Sequence, residues 1–316
     1  MLTIEEIIKA TGGKTLHGSY ALPVSGISID SRTIKDGELF VAIKGDVFDG
    51  HNFIDEAVKK GACGVIVQEG HSVSGSMFQD RLIISVHDTL LALQEIARYH
   101  RSKFTLPVIG ITGSNGKTTT KEMLWSILSQ KFNVLRNEGN LNNHIGVPLT
   151  LFRLNSSHQM AIIEMGISER GELTRLCQIA APDAAIITNI GPTHLEKLGR
   201  IENVAEAKGE ILKFITSDGS CILNRDDKFF DVFKAMSSGR IISFGMSSLA
   251  DVYIEYDETD VEDKSPGSID FKLICPAGKI NINMHVIGLH NLYNAVCAAA
   301  AAYAQGISLA DIKSGL

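Results

Sequence analysis

The stretch Pro107-Val-Ile-Gly-Ile-Thr-Gly-Ser-Asn-Gly-Lys-Thr-Thr-Thr120 runs from a short apolar segment through a glycine-rich turn to a lysine and three threonines. That order reads as a buried strand, an anion-cradling loop and the first turn of a helix. Gly113 and Gly116 permit backbone angles that a side chain forbids. Successive N–H groups from Gly113 through Ser114, Asn115 and Gly116 can therefore face an anion, and the helix adds its positive end. Lys117 would reach the outer phosphates of a nucleotide, and the Thr118 hydroxyl, next to Thr119, would hold a Mg2+ ion. The loop is a variant, because the common pattern places a glycine where this chain has Ile111, and Gly110 comes one residue too early.

Outward from this loop, 316 residues suggest about two domains, and 44% hydrophobic residues suffice for sizeable cores. The N-terminus Met-Leu-Thr-Ile-Glu-Glu lacks the layout of a signal peptide, and the run Ala298 to Ala302 is too short to cross a bilayer. A cytoplasmic, monomeric protein without membrane insertion is expected. Cys63, Cys177, Cys221, Cys275 and Cys297 are scattered with no Cys-x-x-Cys pair, so they read as core residues rather than a disulfide framework or zinc site. A net charge of −6 argues against nucleic-acid binding.

Before residue 105 the pattern is a compact α/β unit. It has a helix at 3–10, strands near 24–30 and 38–43, a helix at 53–60, strands at 64–67 and 82–86, and a helix from the cap Asp88 to about Lys103. After it, strands at 108–112, 160–164, 185–189, 221–223 and 241–244 alternate with helices ending near 130 and spanning 169–180 and 201–216. Such alternation predicts a mostly parallel sheet covered on both faces, with ligands at the carboxyl ends of its strands. From 251 to 286 polar and apolar residues alternate in three segments, which predicts antiparallel strands around a charged loop, Asp257 to Lys264. Helices from about Asn291 to Ala304 and around Asp311 follow. The expected organisation is residues 1–105 and 106–316.

Polar residues gather at those strand ends. Glu164 closes Ala-Ile-Ile-Glu-Met-Gly, and a carboxylate facing an anion loop is a natural Mg2+ ligand. His194 lies beyond the 185–189 strand, and Lys208 sits in Glu-Ala-Lys-Gly-Glu-Ile-Leu. Taken singly, they read first as a structural histidine and a solvated helix lysine. Asn137 to His144, which includes Asn140, Asn142 and Asn143, is rich in amides that could bind a ligand or form a plain surface loop.

Together these motifs carry a resemblance. The glycine loop, Gly139-Asn-Leu-Asn-Asn-His-Ile-Gly-Val-Pro-Leu-Thr-Leu151, Glu164-Met-Gly166, Asn189-Ile-Gly-x-x-His-Leu-Glu196, Ala207-Lys-Gly-Glu-Ile211, Leu223-Asn-Arg-Asp-Asp227 and Gly288-Leu-His-Asn-Leu-Tyr-Asn-Ala295 resemble the Mur ligases of peptidoglycan synthesis. The variant loop is itself a trait of that family. Asp30-Ser-Arg32, Gly37 to Gly45 and Asp49-Gly-His51 resemble its uridine-nucleotide-binding domain. The resemblance implies ATP on Gly113 to Thr119, with Asn291 and Asn294 at the adenine side and Asn224 and Asp226 bordering the same pocket. It implies one Mg2+ on Thr118 and Glu164, and a second among Glu164, His194 and Lys208, the lysine at the position the family carbamylates. Ser31, Arg32, Gly45, Asp49, Gly50, His51 and the amides of Asn140, Asn142 and Asn143 would serve the substrate. The implied reactants are UDP-MurNAc-tripeptide and D-alanyl-D-alanine, joined through an acyl phosphate.

Family members carry a third, C-terminal domain that closes over ATP. The chain ends where that domain is expected, so weak or absent ligation by this polypeptide alone is anticipated. Other readings are the relative that adds the third amino acid, a folylpolyglutamate synthase, a plain kinase, or a nucleotide-binding module without turnover. The N-terminal Asp-Ser-Arg and Asp-Gly-His motifs speak against the synthase. The trio Glu164, His194 and Lys208 speaks against loss of turnover. Nothing in the sequence points to the alcohol acceptor of a kinase.

Overall fold

The computed structural model describes residues 2–20, 22–45, 47–73, 78, 80–256, 268–285 and 288–316. The chain divides into two compact units. One comprises residues 1–105 with 144–154, the other residues 106–143 with 155–316.

In the first unit, strands β1 (Lys14–His17), β2 (Gly26–Ser28), β3 (Glu38–Val41), β4 (Gly64–Gln68) and β5 (Leu82–Val86) form one sheet in the order β1-β5-β4-β3-β2. β2 to β5 pair in parallel, and β1 runs antiparallel along β5. Side chains alternate across a strand, and the two cores follow that rule. Leu39, Val41, Ile66, Leu82 and Ile84 pack with Ile4, Ile7, Leu93 and Ile96 on one face. Phe40, Ala42, Val65, Val67 and Ile83 pack with Ile54 and Val58 on the other. Asp88 caps the helix Thr89–Ser102 by accepting from the Leu91 N–H at 2.9 Å. A helix at Gly146–Leu151, reached from the second unit's chain, packs here as well. The expected division at 105 leaves this segment with residues 106–316, because a short helix with Pro148 in its first turn, directly after a polar run, looks like loop.

In the second unit, nine strands among the described residues make one sheet in the order β14-β13-β12-β11-β10-β9-β6-β8-β7. They are β6 (Val108–Thr112), β7 (Val134–Arg136), β8 (Met160–Glu164), β9 (Ala184–Ile187), β10 (Ser220–Asn224), β11 (Arg240–Gly245), β12 (Val252–Tyr256), β13 (Ile269–Cys275) and β14 (Gly278–Met284). The ladder from β7 to β12 is parallel, and β12-β13-β14 is antiparallel. The predicted mostly parallel sheet is therefore present. One detail differs, since β12 also joins β11 in parallel through two residue pairs, Phe244 with Val252 and Gly245 with Tyr253. Asp251 fastens that join, its Oδ2 accepting from the Ser243 N–H at 2.8 Å and the Ser243 hydroxyl at 2.6 Å.

The helices Lys117–Leu128, Leu289–Ala304 and Leu309–Gly315 supply residues to the core over β6, β8, β9 and β10. The run Ala298 to Ala302 is wholly buried there, small side chains allowing close approach. All five cysteines are free and buried. Among the described residues no helix is long and apolar enough to cross a membrane. The expected loop 257–264 and Val286 lie outside the described residues.

Candidate functional site

Two parallel strands, β6 and β8, lie side by side with Ile111 paired to Glu164, so the loop after one and the carboxylate at the end of the other emerge together. Gly113 has φ +147°, and a Cβ there would collide with Thr188 Oγ1. Gly116, at φ +78°, caps the helix Lys117–Leu128, and a Cβ there would strike Asn294 Oδ1. Glycine is required at both points by conformation and by close approach.

The expected cradle is narrower than Gly113 to Thr119. The Ser114 N–H donates to the Asn189 carbonyl at 2.9 Å, and the Asn115 N–H donates to Asn189 Oδ1 at 3.1 Å. Those two amides are taken up by the loop after β9. Thr188 Oγ1 returns a bond to the Asn115 carbonyl at 2.6 Å, and Asn189 Nδ2 adds another at 3.1 Å. The Ser114 hydroxyl clasps Gly191, donating to its carbonyl at 3.1 Å and accepting from its N–H at 2.9 Å. The N–H groups of Gly116, Lys117, Thr118 and Thr119 have no protein acceptor among the described residues. At the positive end of a 12-residue helix they form a row of donors suited to an anion. Lys117 Nζ lies over them, donating to the Gly113 carbonyl at 2.8 Å and the Ser114 carbonyl at 3.3 Å. Burial lowers its pKa, while the charge of Glu164 works the other way.

Glu164 is 1% exposed. Its carboxylate accepts from the Thr118 hydroxyl at 3.0 and 3.2 Å and from Asn142 Nδ2 at 2.8 Å, and Lys121 Nζ stands 3.4 Å from Oε2. Its main chain is clamped by the buried Asn137, whose Oδ1 accepts from the Glu164 N–H at 2.6 Å and whose Nδ2 donates to the Glu164 carbonyl at 3.2 Å. Asn142, expected at a substrate, donates to the carboxylate, while Asn140 and Asn143 are exposed. The sequence gives no sign of Lys121, and it marks Asn137 only as part of the amide-rich segment 137–144, not as a clamp on Glu164. An asparagine just after a short strand and a lysine one turn past Lys117 both look like surface residues.

Lys208, in the helix Ile201–Gly209, is 2% exposed. Burial, assisted by the charge of Lys117, pulls its pKa down to about 7. No carboxylate pairs with it among the described residues. His194 adopts a left-handed conformation, φ +55°, that costs a non-glycine residue energy. Its imidazole is 44% exposed, and Glu196 stands 3.9 Å from it. Among the described residues no three His, Cys, Asp or Glu side chains stand together as a metal cluster.

Beside the loop opens a cavity of about 670 Å3, lined by Asn115, Gly116, Asn189, Asn224, Asp226, Tyr293 and Asn294 among others. Its volume falls in the range of small-ligand pockets. Asn224 Nδ2 holds the Thr188 carbonyl at 3.1 Å, and Asp226 Oδ2 accepts from the Tyr293 hydroxyl at 3.0 Å. Asn294 donates to Asn291 Oδ1 at 3.3 Å. Asn294 lines the cavity, and Asn291 is bonded to it from the same helix.

In the first unit the expected substrate residues bond to neighbouring protein groups, and Asp49 and His51 bond to each other. Ser31 donates to Glu56 at 2.9 Å. Arg32 makes a bidentate pair with Asp30 at 2.8 and 2.9 Å, which pulls the Asp30 carboxyl to about 2, and its side chain stays 80% exposed. The Gln68 N–H donates to His51 Nε2 at 3.0 Å, leaving Nδ1 to donate to Asp49 at 2.6 Å. Gly45 and Gly50 bond to the carbonyls of Phe48 and Ile43, at 2.9 and 2.8 Å.

A strand, a glycine loop, an anion-binding helix start and a strand-end carboxylate define a nucleotide-binding α/β unit. Residues 111–302 match the Mur ligase middle domain, and residues 23–101 match the catalytic domain of the Mur ligase family. The chain belongs to the Mur ligase family. It is 38% identical over 305 residues to the UDP-N-acetylmuramoyl-tripeptide--D-alanyl-D-alanine ligase of Haemophilus influenzae, covering 95% of this chain and 64% of that one. A crystal structure of MurF from Acinetobacter baumannii superposes with TM-score 0.90 at 36% identity, over 99% of this chain and 67% of that one. MurF of Thermotoga maritima, in complex with ADP, gives 0.78 at 28% identity, over 93% and 66%. The chain thus spans about two thirds of the length of these relatives.

Proposed function

We propose that the chain forms the substrate- and ATP-binding part of an amide ligase that adds D-alanyl-D-alanine to UDP-MurNAc-tripeptide in the cytoplasm. The observation that carries this reading is the row of N–H groups from Gly116 to Thr119 with no acceptor among the described residues, set beside Lys117 and the buried Glu164. The named activity of the similar proteins supports it.

The N–H row and Lys117 would hold the nucleotide phosphates, and the cavity at Asn224, Asp226, Tyr293 and Asn294 would take the base. The exposed Arg32, fixed by Asp30, would meet the uridine-nucleotide substrate on the first unit, while Asp49 and His51 hold that loop in shape. The terminal carboxylate of the tripeptide attacks the γ-phosphorus, the bond to ADP breaks, and an acyl phosphate forms. The amine of D-alanyl-D-alanine then attacks the carbonyl, releasing phosphate and a proton. Phosphorylation is needed because a carboxylate offers only oxide as a leaving group.

Two anions must meet, so positioning and electrostatics carry the acceleration. The donor set suits Mg2+, since the Thr118 hydroxyl and Glu164 carboxylate are hard oxygen donors already in contact. Mg2+ would neutralise phosphate charge there. A carbamate on Lys208 would give a second oxygen-donor group, with His194 nearby in sequence. The test is competition binding of UDP-MurNAc-tripeptide against the dipeptide precursor. The tripeptide should bind at least about tenfold tighter, roughly 1.4 kcal/mol. Equal affinity overturns the tripeptide assignment.

A further inference from the structure

Lys121 lies one helical turn beyond Lys117 and is wholly buried, and its Nζ has no hydrogen-bond partner among the described residues. Its nearest charges are Glu164 Oε2 and Glu122 Oε1, each at 3.4 Å. Glu122 in turn pairs with Arg136 at 2.8 Å, and the Arg136 guanidinium covers the Trp125 ring at 3.5 Å. A row of alternating charge therefore runs from Glu164 through Lys121 and Glu122 to Arg136, closed at its outer end by an aromatic face.

An ammonium without an acceptor in a dry interior is costly, and so is a lone carboxylate there. Each is the other's compensation. Thr118 approaches Glu164 from the exposed side and Asn142 takes Oε1, which leaves Lys121 behind Oε2. Positions i and i+4 share a helix face, so the helix that presents Lys117 to the loop also sets Lys121 beneath the carboxylate.

We propose that Lys121 is a positioning residue for the Glu164 carboxylate, holding its oxygens beside Thr118 for a divalent cation carried in with a nucleotide. The proposal rests on the nucleotide reading given above. Lys121 touches neither nucleotide nor cation and acts only through Glu164.

The experiment titrates a fluorescent N-methylanthraniloyl ADP into wild type, Lys121→Met, Lys121→Gln, Glu164→Gln and the double variant Lys121→Met/Glu164→Gln, first without Mg2+ and then with rising Mg2+. In Lys121→Met the Mg2+ concentration for half-maximal enhancement should rise about tenfold, the usual cost of losing a group that orients a metal ligand. Metal-free affinity should stay within about twofold of wild type, because the amide row and Lys117 are intact. Lys121→Gln, which keeps a donor near Oε2, should fall between the two. The double variant should need no more Mg2+ than Glu164→Gln alone. An unchanged or lower Mg2+ requirement in Lys121→Met overturns the proposal. So does an equal loss with and without metal, which marks a general structural prop, and so does full additivity in the double variant. Wild type that binds no ADP in either arm refutes the nucleotide reading itself, a result distinct from all of these.

Discussion

Carbamylation of Lys208 can be worked through quantitatively. CO2 adds to a neutral amine, forming an N–C bond and releasing one proton, so the yield follows the deprotonated fraction. Burial beside Lys117 brings the Lys208 pKa from 10.5 to about 7. At pH 7.5 roughly three quarters of such amines are neutral, against about one in a thousand for an ordinary lysine. The gain is near three orders of magnitude, and the product turns an unpaired buried cation into an oxygen-donor anion. The assay is NMR of the protein in 13C-bicarbonate across pH 6 to 11, with Lys208→Met as the blank. A carbamate signal absent from the blank should grow in between about pH 6 and 8. A signal that rises only above pH 9.5, or that persists in Lys208→Met, refutes the reasoning.

Three further outcomes follow from the same geometry. In CO2-free buffer the folded pKa of Lys208 lies below its unfolded value, so protonation favours the unfolded chain. The penalty is full below about pH 7 and fades as pH climbs towards 10.5, at up to roughly 4–5 kcal/mol. Lys208→Met should therefore exceed wild type in denaturant stability at pH 6.5, by less at pH 9. A pH-independent difference contradicts this, and Trp125, the single tryptophan, reports it from the second unit. Asn137→Ala strips both main-chain partners from a buried Glu164 and should cost about 2–3 kcal/mol by the same fluorescence, a loss under half a kcal/mol being the adverse result. Gly113→Ala pushes Cβ into Thr188 Oγ1, which braces Asn115, so ADP affinity should fall by about tenfold or more, and wild-type affinity in that variant would count against the loop geometry.

What the sequence made legible follows from where the constraints lie. β5, β6 and β8 stand at their expected bounds because every one of their residues is buried, which forces a continuous apolar run. β1 was missed because Lys14–His17 is largely exposed and carries no such run. The helix Gly146–Leu151 was missed because its partners lie in a unit distant along the chain, so local pattern does not announce it. In the site, the glycine loop and Glu164 are visible through position after a strand. The occupation of the Ser114 and Asn115 amides by Asn189 is not, since hydrogen bonding across 74 residues leaves no local trace. Lys121 hides for the same reason, its counter-charge Glu164 being 43 residues away while its helical neighbours suggest a solvated face. Lys208 shows the reverse case, where the motif drew attention to a residue whose helix alone gives no reason to expect burial.

The most direct test of the central claim is calorimetric titration of ADP with Mg2+ into wild type and Lys117→Ala. Wild type should bind one nucleotide per chain, and removal of the charged donor over the amide row should weaken binding about 100-fold, near 2.7 kcal/mol. Equal affinities in the two proteins, or no binding by wild type, would contradict the assignment of Gly116 to Thr119 and Lys117 as the phosphate site.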